Sequence, residues 1–264
     1  MGYETILAER TGWTLHVTLH RLESRNAMNG AMVGELSAVF AEAAADDTLR
    51  AVVLRGAGGT FCAGGDLRDM GGGLGDDPAA GLAKVNRAFG ALLEQAEALP
   101  QVLVAVVEGG AMGGGFGLVA VSDIAIASDT ASFGLPEVKL GLVPAQIAPF
   151  VARRIGLPAT RRLALTGGKL DGSQALALGL VHQIVPAGGL DAALTATLDQ
   201  IRACAPKAVA ATKRLLNRVG QEPTGALLDE AASLFAQAAL GREAMKGIPA
   251  FLSKQPAPWA KGDA

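Results

Sequence analysis

The hydrophobic positions of this chain change rhythm along its length. Thr5–Glu9 and Leu15–Leu19 alternate or run apolar on either side of Gly12, which predicts a β-hairpin. Arg21–Asn29 is polar and reads as a loop. Met32, Leu36, Val39, Phe40 and Ala43 then recur at helical spacing. Ala51–Leu54 and Val102–Val107 are apolar runs too short for helices, so they predict buried strands. Between them, Leu82–Leu99 has a helical pattern stopped by Pro100. Ile124–Ala127 predicts another strand, and Ser132–Leu142 mixes extended pieces with turns. Helices follow over Ala145–Ile155, Thr160–Thr166 and Ser173–Leu178, the last capped by Asp171, and Val181–Val185 predicts a final strand. Beyond Leu190 only helical patterns remain: Leu190–Cys204, Lys207–Val219, Thr224–Leu240 and Arg242–Phe251. The pattern predicts an α/β core over residues 1–190 and an all-helical region over 191–264. The alanine-rich and apolar faces of the last two helices need a surface to cover, and another subunit can supply it.

Composition narrows the function classes. Half of the 264 residues are hydrophobic and 18% are charged, which fits a folded globule and not a disordered chain. The net charge of −2, with no basic run, gives no reason to expect nucleic acid or a membrane surface as a partner. Cys62 and Cys204 are no disulfide framework. The N-terminus lacks the basic start and apolar core of a signal peptide, and no apolar run approaches the ~20 residues of a bilayer span. The expectation is a soluble, cytoplasmic protein. His16, His20 and His182 do not cluster with cysteines or carboxylates, so no metal is expected.

The candidate chemistry lies at two places where a strand runs into glycines. Glu108–Asp123 reads E-G-G-A-M-G-G-G-F-G-L-V-A-V-S-D: a strand ends, side chains vanish and a helix begins. A helix N-terminus carries free N–H groups and partial positive charge, and glycines let a ligand approach the backbone. Phe61-Cys-Ala-Gly-Gly-Asp-Leu67 is a second such junction. Two N–H groups converging on one oxygen form an oxyanion hole, each typically contributing ~2.7–4 kcal/mol in the transition state. Turns without chemistry are the plainer reading of the spacing alone. Glu137, on an irregular segment after Pro136, is placed to be partly buried with a raised pKa, as a general base needs; a solvated ion pair with Lys139 is the plain alternative. Arg153, Arg154, Arg161 and Arg162 read as a solvated helical face. Gly71–Gly81 reads as a mobile surface loop. G-x-x-x-x-G-K-S/T is absent, and Gly115-Phe-Gly117-Leu-Val-Ala120 is a lone, weak match to a dinucleotide fingerprint.

These pieces together resemble the enoyl-CoA hydratase/isomerase (crotonase) family. The matching residues are Arg25-Asn-Ala-Met-Asn29, Phe61–Leu67, the Gly113-Gly-Gly run, Ser122-Asp-Ile-Ala125, Phe133–Val138 with Leu140-Gly141, Leu165-Thr-Gly and Phe251-Leu-Ser-Lys254. The resemblance runs nearly the whole chain in order. It implies a ββα superhelix, or spiral, with a C-terminal helical trimerisation region, assembled as a homotrimer or homohexamer. It implies oxyanion-hole amides at Ala63 and Gly114 and a catalytic acid/base at Glu137. For the CoA portion of the substrate it implies Asn26, Ala27 and Met28 as the adenine cradle, Gly64, Gly65 and Asp66 beside the first junction, and Phe251 and Lys254 reaching the nucleotide, often from a neighbouring subunit. No separate cofactor is implied, since coenzyme A enters as part of the acyl-CoA thioester.

One position departs from the family. Its hydratases usually carry a first glutamate three residues after Gly114, where this chain has Gly117. A single carboxylate can still take a proton from water and return one to Cα, or move a proton along an enoyl chain as an isomerase does. A non-catalytic acyl-CoA-binding member is the third reading. Glu137–Val151 is similar to the branch that hydrates carboxylated, branched substrates, methylglutaconyl-CoA and isohexenylglutaconyl-CoA. The expected activity is therefore hydration of such an enoyl-CoA.

Overall fold

The computed structural model describes residues 2–69 and 76–260. A six-stranded sheet forms its centre, in the order β1 (Ile6–Thr11), β2 (Thr14–Leu19), β3 (Ala51–Gly56), β4 (Val102–Val107), β6 (Ile124–Ser128), β9 (Gln183–Val185). β1 and β2 are the antiparallel hairpin expected around Gly12, which has φ 56°; every later neighbour is parallel. A parallel sheet is covered on both faces, which is why β4 reads as an unbroken apolar run. Leu103, Ala105 and Val107 join the core beneath α1 (Gly30–Ala45) and α2 (Pro78–Ala98). Val102, Val104 and Val106 meet Leu190, Ala193, Leu194 and Ile201 of α7 (Leu190–Arg202). α7, which begins at Leu190, thus closes the second face of the sheet.

A smaller sheet, in the order β5 (Gly110–Met112), β7 (Ser132–Gly134), β8 (Lys169–Asp171), stands beside the first. Between β5 and β6 lies α3 (Gly114–Val121), buried along its length apart from Gly114. α4 (Ala148–Ile155) and α5 (Leu157–Thr166) meet at Gly156, whose φ is 78°. α6 (Gly172–Ala177) opens with a capping box from Asp171 and Gln174.

Three expectations shift. The helix expected from Leu82 begins at Pro78, because Asp77 caps it by accepting from the N–H groups of Ala79 and Ala80. Of the expected loop Gly71–Gly81, residues 71–75 lie outside those described and 78–81 are helical. Arg154 does not join a solvated face: it is half-buried and donates to the Leu180 carbonyl and His182. Arg153 stays exposed and pairs with Glu97.

The C-terminal helices are α8 (Pro206–Leu216), α9 (Thr224–Ala239) and α10 (Arg242–Leu252). α8 is fastened to the core by Lys213, whose Nζ donates to Asp123 Oδ2 at 2.6 Å and to the Gln101 carbonyl at 3.0 Å. Arg50, just before β3, reaches the other end of the chain. Its guanidinium donates to the Ile201, Arg202 and Cys204 carbonyls at the end of α7 and to the Trp259 carbonyl, while Trp259 Nε1 donates to Ala203. Among the described residues, no helix is long and apolar enough to cross a membrane.

Candidate active site

Backbone hydrogen bonds zip four segments side by side. Cys62 N–H donates to Gly110 and Met112 N–H returns to Cys62, each at 2.9 Å, so the two glycine junctions are neighbours. On one flank, Met28 N–H donates to Gly64 and Asp66 N–H to Met28, both at 2.8 Å. On the other, Gly113 N–H donates to Gly134 at 2.9 Å, three residues before Glu137. Residues distant in sequence therefore meet at the start of α3.

α3 begins without a side-chain cap. Gly113 holds φ 49° and ψ −115°, which turns the chain sharply out of β5. Gly114 N–H, at the first helical position, has no acceptor among the described residues. In the first junction the availability differs from residue to residue. Ala63, the expected donor, is already engaged: its N–H donates to the Arg25 carbonyl at 3.0 Å, so it has nothing to offer a ligand. Gly64 N–H lies 3.4 Å from Cys62 Sγ, and Asp66 N–H is engaged with Met28. Gly65 N–H is the amide of that turn without an acceptor among the described residues. Gly65 is exposed, and a β-carbon there would meet nothing within 4 Å. The free pair is Gly65 and Gly114.

Glu137 stands against this corner, at the start of a single 3₁₀ turn closed by Gly141. Its Oε1 lies 2.8 Å from where a β-carbon on Gly113 would be, and the same β-carbon would be 3.6 Å from Gly64 Cα. The carboxylate, the α3 start and the first junction thus share one small space. Glu137 is half-buried, its Oε2 is buried without a hydrogen-bond partner, and Lys139 makes no ion pair with it. Burial pushes its pKa above the ordinary 4.5, an effect only partly offset by its own N–H. An unpaired, partly desolvated carboxylate beside two free amides can pick up and release a proton near an oxygen that the amides hold.

The neighbouring loop is built for rigidity. Asn26 is fully buried at φ 57°; its Nδ2 donates to the Ala57 and Thr60 carbonyls, and its Oδ1 accepts from Arg21 N–H. Its side chain is therefore a brace, while Ala27 and Met28 beside it are buried at 8% and 6% exposure. Met28 Cε packs over Gly114. Asp66 is gripped by Arg68 and Arg21, which hold its carboxyl down at about 2. Beneath the first junction, Cys62 is buried and its thiol is pushed up to about 12. Phe251 and Lys254 are exposed on the C-terminal region, and among the described residues nothing joins them to this corner.

Gly117 carries information that spacing alone did not reveal. A β-carbon there would lie 2.5 Å from Ile147 Cγ2 and 3.3 Å from Leu93 Cδ1. The direction a second glutamate would take is filled by aliphatic side chains. Among the described residues no group of three or more His, Cys, Asp or Glu is placed to hold a metal.

Comparison with known proteins shows the family. The sequence profile of the family described as enoyl-CoA hydratase/isomerase matches residues 10–262. “Probable enoyl-CoA hydratase echA8” of Mycobacterium bovis is 32% identical over 256 residues, 97% of each chain. The solved structure of Pseudomonas aeruginosa AtuE is 55% identical and superposes with a TM-score of 0.95 over 98% of this chain and all of that one. That of an enoyl-CoA hydratase/isomerase from Marinobacter aquaeolei is 49% identical, with a TM-score of 0.93 over 97% and 99%.

Proposed function

Because the chain belongs to the enoyl-CoA hydratase/isomerase family, we propose that it hydrates a branched, carboxylated enoyl-CoA with Glu137 as its lone acid/base. The crotonase-type fold and enoyl-CoA hydratase activity follow from the family; the substrate class and residue roles are our reading. The observation that carries it is the unpaired Glu137 carboxylate beside the free Gly65 and Gly114 amides, with the position of a second acid closed by Ile147.

In this reading the thioester carbonyl oxygen accepts from Gly65 and Gly114, which draws electron density away from Cβ. Glu137 takes a proton from water as the oxygen adds to Cβ, and the charge that develops on the carbonyl oxygen is held by the two amides. The protonated Glu137 then delivers its proton to Cα on the same face, and the carbonyl re-forms. The C=C π bond and one O–H bond break, and one C–O and one C–H bond form. No net proton or electron is gained or lost. A raised pKa suits a group that must both accept and return a proton.

The CoA portion runs past Ala27 and Met28, with Gly64 and Asp66 shaping the same wall. Phe251 and Lys254 reach it from a neighbouring copy, in a homotrimer or homohexamer. The likeness over Glu137–Val151 supports the branched, carboxylated class. Of the cations near the site, Arg68 is engaged with Asp66 and Arg87 with Glu94.

A hydration screen over enoyl-CoAs with and without a γ-carboxylate tests the reading. The carboxylated, β-branched thioester is expected to show the highest kcat/KM. Conjugation of a non-conjugated enoyl-CoA without water uptake would instead establish an isomerase, and tight CoA-ester binding with no solvent deuterium entering Cα would establish a non-catalytic member.

A further inference from the structure

Gly114 and Gly117 are three residues apart on α3 and so share one face of that helix. Phe89 and Leu93, four apart on α2, lie along it. A β-carbon on Gly114 would be 3.1 Å from Phe89 Cζ and 2.2 Å from Met28 Cε; one on Gly117 would meet Leu93 and Ile147. Ile147, buried in the turn before α4, comes closest, with Cγ2 where the first bond of any side chain at 117 would project. The two residues are a matched pair in which one cannot grow unless the other shrinks.

The placement matters because Gly114 offers the free amide. Three residues of α-helix rise about 4.5 Å, roughly the reach of two C–C bonds and a methyl group. Glu137 approaches the Gly113 end of this stretch, whereas Ile147 and Leu93 cover the Gly117 end. An acyl chain whose carbonyl is held at Gly114 therefore has a carboxylate on one side and an aliphatic wall on the other.

We propose that Ile147 is a specificity-determining residue: paired with Gly117, it presents that wall to the substituent on the β-carbon and selects an alkyl branch there. This rests on the enoyl-CoA reading above. A branch fills the contact that a straight chain leaves empty, and one methylene in an apolar pocket is typically worth about 10–200-fold in discrimination.

The test compares the wild type with Ile147→Ala and Ile147→Val. The first readout is the kcat/KM ratio for a 3-methyl-branched over a straight enoyl-CoA of equal length. The second is the Kd ratio for the corresponding saturated acyl-CoAs. Ile147→Ala is expected to lower both ratios about 10-fold, and Ile147→Val, which keeps Cγ2, to retain most of the preference. Equal losses on both ligands, or unchanged ratios, would overturn the proposal, since a merely structural residue has no reason to distinguish them. If no hydration occurs in any variant, the functional reading fails, yet the Kd ratios still decide the role of Ile147. A stability cycle checks the pairing itself: Gly117→Ala should lower the melting temperature in the wild type and lower it less in Ile147→Ala.

Discussion

A carboxylate that is half-buried and lacks a partner stays protonated to higher pH than one in water, and Glu137 is in that position. Its native pKa is raised, so the folded protein binds this proton more tightly than the unfolded chain. The stability it contributes is fully present below the ordinary 4.5 and falls as pH rises through the higher native value. Glu137→Gln should therefore raise the melting temperature at pH 7–8, with the gain vanishing as pH drops toward 4.5. The same variant should lose about 10²–10⁴ in kcat, and the acidic limb of the wild-type kcat/KM profile should lie above 4.5. Gly65 supplies a second check. Gly65→Ala keeps the N–H in open space and should leave turnover near wild type, whereas Gly65→Pro removes the donor and should cost about 10²–10³ in kcat. The half-burial of Glu137 was one of two readings the sequence allowed, since Pro136 and apolar neighbours mark an irregular segment, and the ion pair with Lys139 was the other. The donor was not legible. Whether Ala63 or Gly65 has a free amide depends on the Arg25 carbonyl, which a distant loop brings in. Ile147 was equally hidden, since nothing in its local pattern says that it faces Gly117.

Elements whose role is set by their own residues were readable from sequence. β4 reads as apolar on both faces because it is covered on both, and the bare start of α3 follows from its glycines. Elements defined by distant partners were less so: the helical pattern of α8 does not tell that Lys213 reaches Asp123 beneath it. That pair is mostly buried, with Lys213 at 9% and Asp123 at 26% side-chain exposure. Removing one member leaves the other charge uncompensated, at ~3–5 kcal/mol for a fully buried pair and less here, where Asp123 keeps some water. Lys213→Met should accordingly lower the denaturant midpoint, and Lys213→Met/Asp123→Asn should recover part of the loss. Full additivity of the two changes would mean that the pair does not hold α8 to the sheet.

Across the whole molecule, the C-terminal helices leave a large apolar area uncovered. Leu228, Phe235, Leu240, Met245, Ile248, Phe251 and Leu252 are all exposed, Phe235 at 76% and Leu240 at 83%. Exposed apolar side chains in this number are what a contact with another protein covers, and the homotrimer or homohexamer proposed above would cover them. Phe235→Asp is expected to shift the sedimentation coefficient toward the monomer and to weaken CoA-ester binding in parallel; an unchanged assembly would place this face outside the contact. The sequence announced the uncovered face through its alanine-rich helices, but not the tie that anchors its far end. Arg50 and Trp259 are bonded across 209 positions, which bears on how the protein is made. At roughly 5–20 residues per second, a ribosome takes about 10–40 s to add that intervening length. Until then the Arg50 guanidinium, beside a strand already threaded into the sheet, waits for one of its carbonyl partners. The nascent chain can pair all its central strands, the last at Gln183–Val185, before Trp259 is made, so a message cut short between the two leaves a product with a built sheet and an unlatched Arg50.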